Sequence, residues 1–177
     1  MIDQRYAYSD DSQLMAVALS QLEQGESFLE IGVGNGGNQR IVAGKFSLVV
    51  GTDIIDLREI KQYNPASEFI IADRATCFRN SVFDVVAFNP PYVPSETIID
   101  KTVDGGPNGI EVPLEFLRSA VEAVKKSGKI LILLSSDDAM PIFQEFCMKN
   151  NLNSKKIAEK KLFFETLAIF EITMSIV

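Results

Sequence analysis

Short apolar runs alternate with segments of helical period along most of the chain, the pattern of a parallel sheet covered by helices on both faces. Strands are predicted at Ser27–Ile31, Ser47–Asp53, Glu68–Ala72, Val82–Phe88 and Lys129–Ser135. Helices are predicted at Asp11–Leu22, Asn38–Ala43, Leu57–Gln62, Pro113–Lys126 and Ala139–Lys149. The punctuation agrees. Asp56 and Glu59 stand at capping-box spacing, Pro113 suits a first helical turn, and Gly128 suits a C-terminal cap. Beyond Lys149 the rhythm changes. Ser154–Ala158 and Leu167–Thr173 read as two β segments with no helix-length insert between them, an antiparallel pair finishing an otherwise parallel sheet. No repeat or linker interrupts residues 1–177, so one α/β domain is expected.

Composition narrows the class. The 177 residues, 46% hydrophobic and 23% charged, suit a globular domain with a substantial core. The longest aliphatic run, Ile130–Leu134, is far short of the roughly 18 residues of a membrane helix, and Met1-Ile2-Asp3 opens no secretory signal. A soluble, cytoplasmic protein without a membrane partner is expected. The sequence has no histidine, which excludes Ser-His triads and histidine-ligated metals. Only Cys77 and Cys147 occur, so neither a disulfide framework nor a cysteine-based metal site is indicated. The balance of 17 basic against 24 acidic residues gives a net charge of −7. Lys155, Lys156, Lys160 and Lys161 form the one basic cluster, more simply a solvated hairpin face than a phosphate-binding patch. Unaided nucleic-acid binding is disfavoured.

Three stretches carry candidate chemistry. In Phe28-Leu29-Glu30-Ile31-Gly32-Val33-Gly34-Asn35-Gly36-Gly37 a strand runs into a glycine-rich turn and then a helix, so backbone can approach a ligand closely. Gly32, Gly34 and Gly37 satisfy G-x-G-x-x-G, which alone fits a nicotinamide or flavin as well as any other nucleotide. Asp53 ends the next strand and, in a doubly wound sheet, lies where ribose hydroxyls could donate to it. Asp73, at the end of the third strand, could accept from an adenine amino group. Three acids at successive strand ends (Glu30, Asp53, Asp73) suit a cationic ligand and would repel a pyrophosphate. The third stretch is Asn89-Pro90-Pro91-Tyr92, directly after the strand Val82–Phe88. Two prolines remove two N–H donors and stiffen the chain. The Asn89 side-chain oxygen and the Pro90 carbonyl can then act as fixed acceptors for a planar –NH2 group, with Tyr92 packed against its plane.

Together these stretches resemble class I S-adenosylmethionine-dependent methyltransferases with an Asn-Pro-Pro-Tyr signature. Tyr8-Ser9-Asp10-Asp11-Ser12, Asp104-Gly105-Gly106-Pro107-Asn108-Gly109 and Glu165-Thr166-Leu167 narrow the resemblance. The layout is similar to the HemK/PrmC-type protein-(glutamine-N5) methyltransferases, in the short archaeal and eukaryotic branch that acts on release factors. The resemblance implies a Rossmann-like, mostly parallel seven-stranded sheet in the order 3-2-1-4-5-7-6, its last strand antiparallel. It implies that Ser12, Glu30, Gly32 and Gly34 surround the methionine part of S-adenosylmethionine. Asp53 would hold the ribose, Asp73 and Arg74 the adenine, and Asn89, Pro90, Pro91 and Tyr92 the acceptor amide, with no metal. The sequence departs from the family pattern at Tyr8-Ser9-Asp10-Asp11-Ser12, where proline and threonine are common, and at Phe163-Phe164, where smaller or polar residues are common.

The expected acceptor is a glutamine in a protein, the Gly-Gly-Gln loop of a class-1 translation release factor. Amino methylation of adenine or guanine in RNA or DNA is the alternative, because the Asn-Pro-Pro-Tyr motif is shared with such enzymes. A dehydrogenase fits the glycine pattern but gives Asn-Pro-Pro-Tyr no role. The resemblance also implies a small zinc-binding activator subunit, and the Glu68–Ala72 strand, apolar and on one edge of the expected sheet, is where it would dock.

Overall fold

The structure, a computed structural model, describes residues 9–135 and 139–175. Nine strands and five helices follow in the order α1 (Asp10–Ser20), β1 (Gly25–Ile31), α2 (Gly37–Val42), β2 (Phe46–Asp53), α3 (Arg58–Tyr63), β3 (Glu68–Ile71), β4 (Phe83–Phe88), β5 (Val93–Pro94), β6 (Asp104–Gly106), α4 (Glu111–Ala123), β7 (Val124–Ser135), α5 (Met140–Lys149), β8 (Leu152–Lys161) and β9 (Thr166–Met174), counted among the described residues. Seven of the strands form one sheet in the order β3-β2-β1-β4-β7-β9-β8, and β5 with β6 forms a separate two-stranded ribbon. Without that ribbon the order is the expected 3-2-1-4-5-7-6. β9 runs antiparallel to both β7 and β8, and the remaining pairings are parallel.

The continuous apolar runs are explained by burial on two sides. On one face Leu29 and Ile31 of β1, Val86 and Phe88 of β4, and Ile130, Ile132 and Leu134 of β7 pack with α4 and α5. On the other, Phe28, Val85, Ala87, Leu131 and Leu133 pack with α1 and with Leu167 and Ile169 of β9. Helix α1 buries Leu14, Met15, Ala18 and Leu19, a single stripe of helical spacing. At the β3 end a smaller cluster holds Val33, Leu57 and Ile60 against Phe69. Among the described residues no helix is long and apolar enough to cross a membrane.

Local details depart from the expectations in four places. The helix predicted at Pro113–Lys126 stops at Ala123, because Val124 turns extended and pairs with Phe83. Lys125 then meets Asp84 at 2.8 Å and Glu26 at 3.2 Å across the amino-terminal edge of the sheet. Gly128 is no helix cap but a strand residue, where an added Cβ would lie 2.6 Å from the Asp84 carbonyl oxygen. The Asp56–Glu59 capping box does not form. Leu57 occupies the N-cap without a side-chain bond, while Asp56 accepts the Arg58 N–H at 3.0 Å and pairs with its guanidinium. The β5–β6 ribbon had no strand-like run to announce it.

Gly128→Ala forces that carbonyl or the β7 backbone to move and should destabilise the fold by about 1–3 kcal/mol. Urea unfolding should show a lower midpoint at unchanged slope; an unchanged midpoint would show that the strand has room for a side chain at Gly128.

Candidate active site

All four central parallel strands end on one edge of the sheet, and the residues singled out from sequence gather along it. After β1 the chain is held by Gly32 and Val33 N–H groups donating to the Thr52 carbonyl at 2.8 and 3.2 Å. The Gly34 N–H then donates to Asp53 Oδ2 at 3.1 Å, so the second strand-end carboxylate touches the glycine turn. Gly32 and Gly34 are exposed, with φ of +78° and +54°, and a Cβ on Gly34 would meet nothing within 4 Å. Open space beside a positive-φ turn is room for a ligand.

Glu30 sits beneath this turn, 2% exposed. Its two carboxylate oxygens accept from Asn38 Nδ2 and Gln39 Nε2, each at 2.7 Å, so Glu30 faces α2 and ties the helix to the turn. Burial is the chief reason its carboxyl is pushed up to about 7, against the opposing bonds from Gln39 and Asn38 and with added repulsion from Asp53. The Gln39 oxygen Oε1 is buried with no donor among the described residues.

Past β3, Asp73 is exposed and pairs with Arg74 at 3.2 Å. Arg74 takes the left-handed region, φ +56°, and leans towards α4, meeting Glu115 at 2.7 Å with its guanidinium 5.9 Å from the Phe116 ring centre. Phe116 is also the atom group nearest to a Cβ built on Gly32, at 3.9 Å, so an aromatic edge lies between the glycine turn and Arg74.

At the end of β4, Asn89 Nδ2 donates to Asp11 Oδ2 at 2.8 Å. A carboxylate offers only acceptors, which fixes the orientation of the Asn89 amide. Its other end, Oδ1, is buried and has no donor among the described residues. Pro90 is buried, and Pro91 and Tyr92 are half-buried. The Gly105–Gly109 segment folds directly onto this motif. A Cβ on Gly105 would lie 2.6 Å from Tyr92 Cα, and one on Gly109 would lie 2.4 Å from the Tyr92 carbonyl oxygen. Glu111 anchors the segment by accepting from Asn108 N at 3.0 Å and Asn108 Nδ2 at 2.6 Å. Ser12 lies in the first turn of α1, where its N–H donates to Asp11 Oδ1 at 2.6 Å and its hydroxyl accepts from Ser9 at 2.9 Å. Tyr8, part of that opening motif, lies outside the described residues.

A Methanocaldococcus jannaschii protein, provisionally named a protein N5-glutamine methyltransferase, is 32% identical to this chain over 146 residues, covering 74% of the chain and 72% of the relative. The chain belongs to the protein N5-glutamine methyltransferase family. That membership makes it an S-adenosylmethionine-dependent methyltransferase. The Mtq2–Trm112 complex of E. cuniculi, described as responsible for methylation of the eRF1 translation termination factor, superposes with a TM-score of 0.77 at 25% identity, over 96% of this chain and 98% of that one. The ribosomal protein L11 methylase of Lactobacillus delbrueckii subsp. bulgaricus, at 12% identity, shares the fold with a TM-score of 0.68 over 96% of this chain and 81% of its own. No family model matches the chain.

The residues present suit the cofactor of this methyltransferase family. S-adenosylmethionine carries a sulfonium, an ammonium and one carboxylate and no phosphate. Asp53 touches the open glycine turn and Asp73 stands exposed past β3, while Glu30, expected at the methionine part, is instead buried and turned to α2. Sequence reasoning missed Asp11 as a partner of Asn89, Phe116 beside Gly32, and Asn38 and Gln39 as the hands on Glu30. Asp11 and Asn89 are 78 positions apart, and no local pattern joins them.

The Glu30 environment gives a pH dependence with a definite sign. Its folded pKa lies above the ordinary 4.5, so stability present in full below 4.5 is lost as pH rises through about 7. The cost of the buried charge is roughly 3 kcal/mol at most. The melting temperature of the free protein should therefore fall across that window, and Glu30→Gln should flatten the fall because an amide does not titrate; Gln39 can turn its oxygen towards the new amide and keep the helix tied. An identical pH profile in the variant would remove Glu30 as the cause.

Proposed function

We propose that this methyltransferase transfers a methyl group to the side-chain amide nitrogen of a glutamine in a protein, the Gly-Gly-Gln loop of a class-1 translation release factor. In this reading the whole chain is one catalytic domain. The observation that carries it is the Asn89 amide, pinned through its nitrogen to Asp11 and left with a buried oxygen that has no donor among the described residues. An unmet buried acceptor costs about 1–3 kcal/mol. An incoming amide N–H offsets that cost.

S-adenosylmethionine supplies a sulfonium-bound methyl group that needs no metal or nucleophilic residue to be transferred. Gly32 and Gly34 would let the backbone approach the methionine part and Ser12 would help to hold it, while Glu30 fixes the turn through Asn38 and Gln39. Asp53, which now accepts from the Gly34 N–H, would accept from the ribose hydroxyls, and Asp73 with Arg74 would hold the adenine. Amide nitrogen is a poor nucleophile because its lone pair is delocalised into the carbonyl. Asn89 Oδ1 and the Pro90 carbonyl, accepting its two N–H groups, orient the nitrogen and favour the positive charge that develops on it. The rigid Pro90-Pro91 pair keeps the second acceptor fixed, and Tyr92, braced by Gly105 and Gly109, closes the pocket over the amide plane. The proton then leaves to solvent from a strongly acidic group, so the lack of histidine is no obstacle.

A nucleic-acid acceptor is supported less well. Of the four clustered lysines, Lys156 pairs with Glu159 and Lys160 with Asp10, which leaves little positive field for a phosphate backbone.

A small activator subunit, of the zinc-binding kind the resemblance implies, is the proposed partner at β3. The strand is at the edge of the sheet, and Ile70 and Ile71 are 38% and 62% exposed. The helices cover Phe69 but not these two. Ile54 and Ile55, exposed just past the end of β2, extend the apolar edge. Such an edge pairs readily with another strand.

Incubation with labelled S-adenosylmethionine and a matched set of release factor, tRNA and DNA, with the activator co-expressed, should place label on the release-factor glutamine. Asn89→Ala should lower that transfer on the order of a hundredfold or more with the melting temperature kept. Asp53→Ala should instead weaken cofactor binding by about 2 kcal/mol in calorimetry. S-adenosylmethionine should raise the melting temperature and NAD should not. Label on nucleic acid alone would replace the acceptor, and full activity of Asn89→Ala would remove the orientation mechanism.

Hydrogen exchange across residues 64–73 should slow on complex formation. A lone chain with full activity and no protection there would dismiss the activator site.

A further inference from the structure

The turn between β8 and β9 is closed by the Leu162 N–H donating to the Glu165 carbonyl at 2.8 Å, which leaves Phe163 and Phe164 as its two central residues. Neither phenylalanine takes a positive φ, so the connection between Lys161 and Thr166 asks for no glycine or asparagine and leaves the choice of side chain open. Here both positions are phenylalanine, 91% and 92% exposed, with ring centres 4.7 Å apart in an edge-to-face arrangement. Core packing does not account for them, since both side chains stand in solvent. A pair of fully exposed aromatic side chains marks a contact surface.

The location says what the contact is. β8 ends and β9 begins on the same edge of the sheet as the carboxyl ends of β4 and β7. Glu165 accepts from the Ser135 hydroxyl at the end of β7, and Lys160 pairs with Asp10 in the first turn of α1. The neighbouring Asp11 holds Asn89. Leu162, directly before the aromatic pair, packs on the same apolar cluster as Tyr92. The tip is therefore braced from two sides against the elements that hold the acceptor pocket. Lys155 and Lys161 on the same strand are exposed, a positive flank on a chain whose net charge is −7.

We propose that the β8–β9 hairpin tip is a docking element for the folded methyl-acceptor protein. Phe163 and Phe164 enter an apolar depression flanking the glutamine loop, and the lysine-bearing strand faces an acidic rim beside it. The inference rests on the proposed protein acceptor and adds to it a second contact, away from the reacting amide. It separates recognition of the folded protein from recognition of the glutamine. A short peptide presents only the loop, so it bypasses the tip.

The test compares wild type with Phe163→Ser/Phe164→Ser in the complex with its activator, using the intact release factor and a short Gly-Gly-Gln peptide as acceptors. Both side chains are exposed, so the melting temperature and S-adenosylmethionine binding should be unchanged. The KM for the release factor should rise about tenfold at unchanged kcat, and its Kd should weaken in parallel, while peptide turnover stays the same. Equal KM and Kd for the release factor in the two proteins would overturn the docking role and leave the glutamine reading standing. So would equal constants accompanied by loss of a wild-type dimer in sedimentation, or by loss of wild-type binding to phosphatidylserine vesicles, which would reassign the tip to self-association or to a lipid surface. A wild type that neither binds nor methylates the release factor would overturn both proposals together.

Discussion

Everything at the site depends on the double-sided burial of three parallel strands, β1, β4 and β7. Their side chains alternate between two apolar layers, with Val86 and Phe88 facing α4 and α5 and Val85 and Ala87 facing α1. A one-residue slip would move each side chain into the wrong layer, so the register is strongly specified. Register in turn decides which residue leaves the sheet at its carboxyl edge. Phe88 pairs with Ile31 on one side and Ile132 on the other, so the chain emerges from β1 as Gly32 and from β4 as Asn89, side by side. The chemistry is placed by packing some distance below it.

The strand ends supply position and little selectivity, which comes from contacts made across the edge. Asp53 reaches the glycine turn, Arg74 reaches α4, and Asp11 reaches Asn89. Each contact joins elements that no local interaction would bring together. The Asp11 contact has the greatest consequence, because it turns a side chain with a donor end and an acceptor end into a dedicated acceptor. A neutral partner that could either donate or accept would let the Asn89 amide flip. The carboxylate does not.

Much of this arrangement was legible in the sequence, for physical reasons that particular residues illustrate. The central strands were plain because burial on both faces makes them continuous apolar runs, as in Ile130–Leu134. The glycine turn and Asn89–Tyr92 were plain because close approach and fixed acceptors need unusual residues in a row. The β5–β6 ribbon was hidden, since Val93–Pro94 and Asp104–Gly106 carry no periodicity and hold their place through Gly105 and Gly109 packing on Tyr92. The end of α4 was misjudged because Val124 suits a helix as well as a strand. Pairing with Phe83 and the Lys125–Asp84 contact decide the matter, and neither is local. Asp56 and Glu59 form no box for a different reason: the helix starts one residue later, with Leu57 at the N-cap, and Asp56 accepts the Arg58 N–H from outside it.

The first turn of α1 explains how the catalytic edge and the terminal hairpin are held as one unit. Asp10 and Asp11 are consecutive, yet Asp10 pairs with Lys160 on β8 and Asp11 with Asn89 after β4. The helix behind them is fixed to the sheet by Leu14, Met15, Ala18 and Leu19, so the two acids cannot move apart or independently. The Lys160 pair is half-exposed, with 38% and 45% of its side chains open to solvent, and on energy alone is worth little. Its role is geometric. It sets the height of the hairpin relative to the Asn89 amide, while the apolar contact of Leu162 supplies the adhesion. An arrangement of this kind separates two requirements that would conflict in one element. The role proposed for Asn89 calls for a fixed orientation, which the buried strand and the Asp11 carboxylate provide. The docking role proposed for the hairpin calls for reach, which the exposed Phe163 and Phe164 at its tip provide.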